Sequence, residues 1–142
     1  MSKIKLDTDV LKHIALFESM TGAKVKDCFP EEKMITYVVE KHQAAKAIGK
    51  QGANVKKLHH MAKKNIKIIE FSQDIHKFIQ NVVHPNKVSN VEEKEEDGKK
   101  IILLTAIDHQ TRGYLIGRAA ETLRNTESMV KRYFEVDEIK VV

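Results

Sequence analysis

Hydrophobic residues in the first half of the chain follow two spacings, which predict alternating helices and strands. Helical segments repeat apolar residues every three or four positions, as Val10, Ile14 and Phe17 do, whereas strand segments are short runs rich in β-branched residues. Asp7 or Thr8 can cap the first helix, which ends at Gly22. The predicted order is helix 8–21, strand 23–29, strand 34–39, helix 43–48, helix 53–64 and strand 66–71.

The second half of the chain repeats this order with a period of about 68 residues. Ile48-Gly49-Lys50 aligns with Ile116-Gly117-Arg118, and Asp97-Gly98 predicts a hairpin turn because both residues readily adopt positive φ. The predicted order is helix 75–82 capped by Asp74, strand 87–93, strand 101–107, a helix ending at 116, helix 120–133 and strand 136–142. We therefore expect two α+β units, 1–72 and 73–142, each with a three-stranded sheet packed on helices.

Positive charge is concentrated in the first half of the chain. The whole protein carries a formal charge of +5. Residues 1–72 hold 14 lysines and 8 acidic residues, a net charge of +6, whereas 73–142 carry a net charge of −1. Residues 41–69 contain eight lysines and no acidic residue, unlike ordinary helix surfaces, which mix both signs. This run indicates an anionic partner.

Composition excludes several classes of protein. The single cysteine, Cys28, rules out a disulfide framework or a thiolate zinc site, and we expect it to be a buried small hydrophobe. Residues 1–7 lack the apolar run of a signal peptide, and no stretch reaches the roughly 18 apolar residues of a membrane helix. We therefore expect a cytoplasmic protein that makes no membrane contact.

No constellation of residues predicts catalysis or metal binding. Adjacent His59 and His60 would point about 100° apart on a helix and cannot chelate one metal. Asp108 is expected to cap a helix, and Tyr114 to pack partly buried rather than to stack on a base. We therefore expect no enzyme activity, no catalytic or metal-binding residue and no cofactor.

The residues that indicate a function are 47–58, where a Gly-x-x-Gly turn joins two short helices. Glycine allows a nucleic-acid backbone to approach closely because no Cβ is in the way, and the following helix offers N–H groups to phosphate. Lys50 lies at the tip of the turn, and Ile48 and Val55 would form the floor of an apolar groove for unstacked bases.

Residues 48–56 resemble the signature loop of the KH domain, and the element order resembles the type II form, αββααβ. The resemblance implies two tandem type II KH domains, 1–72 and 73–142, whose loops clamp about four nucleotides of a single strand. The RNA-binding residues that it implies in the first half are Ala47, Ile48, Gly49, Lys50, Gln51, Gly52, Asn54, Val55, Lys56 and Lys57.

The chain as a whole resembles the archaeal NusA-like proteins. The residues that carry this resemblance are 14–19, 21–23, 27–28 and 132–141. It implies a single-stranded RNA-binding protein that acts in transcription elongation or termination. The sequence does not give the oligomeric state, and we expect a monomer. Its partners would be the nascent transcript and RNA polymerase.

The second copy of the loop departs from the KH pattern, because Ala120 replaces the last glycine. A methyl group there narrows the close approach and disfavours positive φ, so we expect a weaker or merely extending RNA surface. The implied RNA-binding residues of this half are Ile116, Gly117, Arg118, Leu123 and Arg124.

Two alternatives remain open at this point. A KH adaptor for ribosome assembly would use the same groove on ribosomal RNA. A module that docks on RNA polymerase with weak RNA affinity would suit the net charge of −1 of residues 73–142. An aromatic stacking platform is disfavoured because aromatic residues make up only 6% of the chain and tryptophan is absent.

Overall fold

The computed structural model describes residues 8–142, which divide into two compact units between Ser72 and Gln73. We call residues 8–72 the first unit and residues 73–142 the second unit. The alternative cap Asp7 and the N-terminal segment 1–7 lie outside the described residues. In the described part of the chain, no helix is long and apolar enough to cross a membrane.

Both units have the same order of elements, αββααβ. The first unit contains α1 (Thr8–Thr21), β1 (Val25–Pro30), β2 (Met34–Val39), α2 (Ala44–Ile48), α3 (Ala53–Ala62) and β3 (Asn65–Glu70). The second unit contains α4 (Ile75–Val83), β4 (Val88–Glu96), β5 (Lys99–Ala106), α5 (His109–Ile116), α6 (Glu121–Lys131) and β6 (Glu138–Val141). In each unit a short 3₁₀ turn, Lys50–Gly52 or Arg118–Ala120, links the middle pair of helices.

Each unit forms one three-stranded sheet, in the order β1-β2-β3 or β4-β5-β6. The first two strands of each sheet are antiparallel and the last two are parallel. A parallel pair requires a crossover connection, and here the pair of short helices provides it. The predicted α+β class, with a three-stranded sheet in each half, is confirmed.

The helices of the first unit pack on one face of its sheet. Alternate residues of β2, Ile35, Tyr37 and Val39, belong to this core, as period-2 alternation requires. The Phe17 ring of α1 stacks on the Tyr37 ring with centroids 4.1 Å apart. Cys28 is also buried in this core, and burial, together with the nearby charge of Asp27, raises the pKa of its thiol to about 12. The interpretation of Cys28 as a small buried hydrophobe is confirmed.

Several element boundaries differ from the predicted ones because of local hydrogen bonds and backbone conformation. β1 begins at Val25 rather than at residue 23, since the Ala23 amide donates to Thr21 Oγ1 over 3.0 Å and continues the helix end. α3 ends at Ala62, because Lys63 has a φ of 54°. The hairpin turn at Asp97-Gly98 and the Asp74 cap, whose Oδ1 accepts from the His76 amide over 3.0 Å, are confirmed.

The Phe17 stack gives a prediction for stability. Replacing Phe17, which is fully buried, with alanine removes ring contacts and leaves a cavity, so unfolding free energy should fall by about 3–5 kcal/mol. Leu11→Ala on the same helix is the matched control, because Leu11 is 51% exposed and should change stability by about 0.5 kcal/mol or less. Urea unfolding followed by circular dichroism measures both, and equal losses would contradict this core assignment.

Candidate nucleic-acid interface

The first loop, residues 49–52, joins α2 to α3 through a backbone that glycine alone adopts easily. Gly49 has φ 79° and ψ 169°, and Gly52 has φ 73° and ψ 20°. Gln51, between them, also lies in the left-handed region with φ 54°. Ala53, with φ −57° and ψ −41°, returns to the right-handed helical conformation and begins α3. The sequence therefore places two glycines where positive φ is needed.

The two glycines of the first loop serve different purposes. A Cβ added at Gly49 would come within 2.9 Å of the Asn54 side chain and 3.1 Å of its backbone nitrogen. A Cβ added at Gly52 would meet no atom within 4 Å. Gly49 is thus required by packing inside the protein, whereas Gly52 leaves open space on the outside of the loop.

Asn54 holds the two helices of the loop together. Its Nδ2 donates to the carbonyl oxygen of Lys46 over 3.1 Å, so the side chain of α3 satisfies an acceptor near the end of α2. This internal bond gives Asn54 a structural role beside the RNA contact expected from the KH resemblance.

The start of α3 carries exposed cations and no side-chain cap. Gly52, the residue before the helix, makes no side-chain capping bond, so first-turn amides lack that partner. Lys50, Lys56 and Lys57 are exposed, as is Gln51. Within the described residues, none of these three lysines forms an ion pair. Their charges are therefore available to an anion.

Apolar residues beside the first loop divide into exposed and buried ones. Ile48 is 40% exposed, which is unusual for isoleucine, and Val55 is half-buried. These two positions agree with the expected floor of a groove. Ala47, by contrast, is fully buried and belongs to the core of the first unit. The expectation that its side chain contacts RNA is therefore corrected, since no surface remains for contact.

The second loop, residues 117–120, reproduces the backbone of the first one closely. Gly117 has φ 74° and ψ 176°, Ala119 has φ 52° and ψ 31°, and Ala120 has φ 60° and ψ 23°. The largest difference in φ is at the last position, 60° for Ala120 against 73° for Gly52. Ala120 adopts the left-handed conformation despite its Cβ, at a cost of about 1–2 kcal/mol.

The same packing contact forms in the second loop with a different residue. A Cβ added at Gly117 would clash with Thr122 Oγ1 and lie 3.0 Å from the Thr122 nitrogen. Arg118 and Arg124 are exposed, and Ile116 and Leu123 are half-buried. One residue that the motif comparison did not single out is Glu121, an exposed acid at the first position of α6, where α3 has Ala53.

The remaining candidates from the sequence lie outside the two loops. The cap at Asp108 is confirmed, since its Oδ1 accepts from the Thr111 amide over 2.7 Å, and this bond lowers the pKa of the carboxyl. His59 Nδ1 lies 2.8 Å from the Lys64 carbonyl oxygen, at the end of α3. Tyr114 is 57% exposed, so the expectation of a partly buried packing role was wrong. Among residues 8–142 no group of three or more potential ligands could hold a metal ion.

The unequal surroundings of the two glycines predict unequal effects of alanine. Gly49→Ala should lower the unfolding free energy by roughly 3 kcal/mol, because it adds backbone strain to the contact with Asn54. Gly52→Ala should cost only about 1 kcal/mol, as Ala120 already stands in that conformation. Chemical denaturation of both variants measures these free energies. An equal loss of unfolding free energy would show that Asn54 moves away from the new Cβ at little cost.

Comparisons with known proteins agree with this geometry. A family model described as KH domain matches residues 12–87. A probable transcription termination protein NusA of Methanococcus vannielii is 34% identical over 140 residues, 99% of this chain and 80% of that protein. A protein of the same name from Methanocaldococcus jannaschii is 30% identical over 142 residues, all of this chain and 77% of that protein.

A third relative and a solved structure extend the likeness. The probable transcription termination protein NusA of Halococcus morrhuae is 28% identical, covering 98% of this chain and 99% of that protein. The crystal structure of APE1850 has a fold similar to this one, with a TM-score of 0.76, 23% identity and coverage of 96% of this chain and 100% of its own. The chain therefore belongs to the KH-domain family, and within it to the archaeal NusA-like proteins.

Proposed function

We propose that this protein binds single-stranded RNA through its first loop and acts in transcription elongation or termination. The observation that carries the proposal is the combination found at residues 49–52. The space outside Gly52 is open, Lys50 is exposed without an ion pair in the described chain, and α3 starts without a side-chain cap. An RNA backbone needs room for close approach and cations beside its phosphates, and this loop offers both.

The apolar neighbours of the loop favour single strands over duplexes. Ile48 and Val55 offer surface to bases that are unstacked, whereas a duplex keeps its bases stacked inside. Gln51, Lys56 and Lys57 extend the polar side of the same groove. The proposed binding residues of the first unit are therefore Ile48, Gly49, Lys50, Gln51, Gly52, Val55, Lys56 and Lys57, with Asn54 supporting the loop.

The second unit is proposed as a second type II KH domain, so that residues 1–72 and 73–142 form a tandem. The equal order of elements and the matching loop dihedrals support this proposal. Its proposed contacts are Ile116, Gly117, Arg118, Leu123 and Arg124. RNA affinity there should be lower than in the first unit, because residues 73–142 carry a net charge of −1, against +6 for residues 1–72.

The proposed ligand is the nascent transcript, and the proposed site of action is the cytoplasm. The names of the relatives, probable transcription termination protein NusA, support a role at the transcribing complex. RNA polymerase is the proposed protein partner, and the exposed acidic segment 92–97 of the β4–β5 hairpin, poorly suited to RNA, supports a protein contact there. We propose a binding role without catalysis.

Selectivity for single strands is the first functional prediction. Each unit that meets about three phosphates should contribute roughly −2 to the slope of log K against log salt, from about −0.7 per phosphate. Fluorescence anisotropy with labelled single-stranded RNA and double-stranded DNA of equal length measures both affinities. Tighter binding to the duplex at the same salt would contradict the proposed groove.

Charge reversal at the two loops tests which of them carries the affinity. Changing Lys50 and Gln51 both to aspartate places two negative charges beside the incoming phosphate, so RNA binding should fall more than tenfold, or by about 1.4 kcal/mol. Both side chains are exposed, and aspartate tolerates the positive φ at residue 51, so stability should change by less than about 1 kcal/mol.

The matched control changes Arg118 and Ala119 to aspartate in the second loop. Because this loop starts from a lower affinity, the loss should be much smaller. Circular dichroism melting must first show that both double variants keep the wild-type thermal stability. Equal losses in the two variants would mean that the loops contribute alike and form one continuous RNA track.

A further inference from the structure

Several differences between the two loops and the helix starts that follow them bear on an anionic ligand, among them Asn125 in place of Lys57. Two of them, at the end of the loop, contrast space with charge. The last loop position is Gly52 in one and Ala120 in the other, which adds a methyl group. The first helical position is Ala53 in one and Glu121 in the other, which adds a negative charge. Either effect on affinity presupposes the proposed RNA-binding function of the loops.

The methyl group leaves the loop backbone unchanged. Ala119 and Ala120 have φ of 52° and 60°, close to the 54° and 73° of Gln51 and Gly52. Gly117 also keeps its contact with the second residue of the following helix, as Gly49 does. The backbone amides of the second loop therefore point in the same directions as those of the first loop. The methyl group of Ala120 only reduces the open space outside the last loop residue.

The carboxylate of Glu121 lies where it opposes an incoming phosphate. Glu121 is exposed and immediately follows the loop, at the helix end that favours anions. It is three residues from Arg124 on α6, and residues with this spacing on a helix have Cβ atoms about 5–6 Å apart. Arg118 precedes it across the left-handed residues Ala119 and Ala120. In the part of the chain that the structure describes, Glu121 forms no ion pair that would neutralise it.

We infer that Glu121, and not the methyl group of Ala120, sets the lower RNA affinity of the second loop. Its carboxylate repels phosphate and competes with it for the first-turn amides and for the two arginines. In the first unit the corresponding residue, Ala53, has no charge, so it does not repel a phosphate at the start of the helix. The two loops thus share a backbone, and the negative charge of Glu121 lowers the affinity of the second one, with Asn125 in place of Lys57 acting in the same direction.

The test uses the full chain carrying Lys50→Asp and Gln51→Asp, so that the second loop dominates binding. Three variants are compared in this background: Glu121→Gln, Glu121→Ala and Ala120→Gly. The probe is a fluorescein-labelled pool of single-stranded RNA of randomised sequence, about eight nucleotides long, twice the length that one KH loop clamps. Both Glu121 variants should bind about three- to tenfold tighter than their parent at low salt, because a repulsive charge has gone.

The reciprocal variant, Ala53→Glu in the otherwise unchanged chain, should weaken binding by a similar factor. Glutamate at the first position of a helix is favourable for folding, so α3 should be retained, which circular dichroism verifies. All of these changes in affinity should shrink as salt is raised, since exposed charges are screened.

The outcomes separate the inference from the proposed function. A gain with Ala120→Gly and none with Glu121→Gln would overturn the inference in favour of the methyl group. A gain with Glu121→Ala but none with Glu121→Gln would overturn it in favour of side-chain size. No change with any variant, or with Ala53→Glu, would also overturn it while wild-type RNA binding stands. Absence of RNA binding by the wild-type chain would instead reject the proposed function.

Discussion

The close approach of Gly49 to the start of α3 is the contact on which the proposed site depends. With a ψ of 169° and a φ of 79°, Gly49 turns the chain so sharply that α3 begins beside the end of α2. The Asn54 amide then donates to the Lys46 carbonyl and fixes the two helices together. Lys50 lies at the outer tip of the turn only because this inner contact exists. A Cβ at residue 49 would lie 2.9 Å from the Asn54 side chain and 3.1 Å from its backbone nitrogen, so Asn54 would have to shift.

The second unit shows that this backbone does not depend on one particular side chain. Thr122 replaces Asn54 as the neighbour of the first glycine, and Ala120 accepts a left-handed conformation that glycine would adopt without strain. In both units the helix pair connects two parallel strands, and this connection fixes its position. The packing of the crossover offsets the conformational strain at Ala120. The two loops therefore have the same backbone conformation although their side chains differ in charge.

Charge distinguishes the loops where geometry does not. The first loop lies within a segment, residues 41–69, that has eight lysines and no acid. The three lysines at the loop and the start of α3 have no ion-pair partner in the described chain. The second loop is followed at once by Glu121, and the β4–β5 hairpin of the same unit presents exposed acids. Exposed cations without a nearby acid attract an anionic ligand within a Debye length of about 10 Å. Where acids and bases are mixed, their opposite fields largely cancel over that distance.

Local patterns in the sequence predicted the order of the helices and strands, the internal repeat and the position of both loops. These follow from the hydrophobic period, from Gly22, Gly49 and Gly117 at helix ends, and from the Asp97-Gly98 turn, all of which act over a few residues. Local signals also identified the Asp74 and Asp108 caps, because a cap bonds an amide two or three residues away.

Properties that depend on residues distant in the sequence could be read only from the folded chain. Burial of Ala47 and exposure of Tyr114 arise from packing against elements far away in sequence, which no local pattern reports. The structure also gave Gly49 and Gly52 different roles, since only the position of Asn54 distinguishes them. The sequence pattern predicted that alanine at residue 120 would disfavour the loop conformation, but the packed helices on either side impose positive φ on it. A single residue's preference of about 1–2 kcal/mol is weaker than the contacts of a whole crossover.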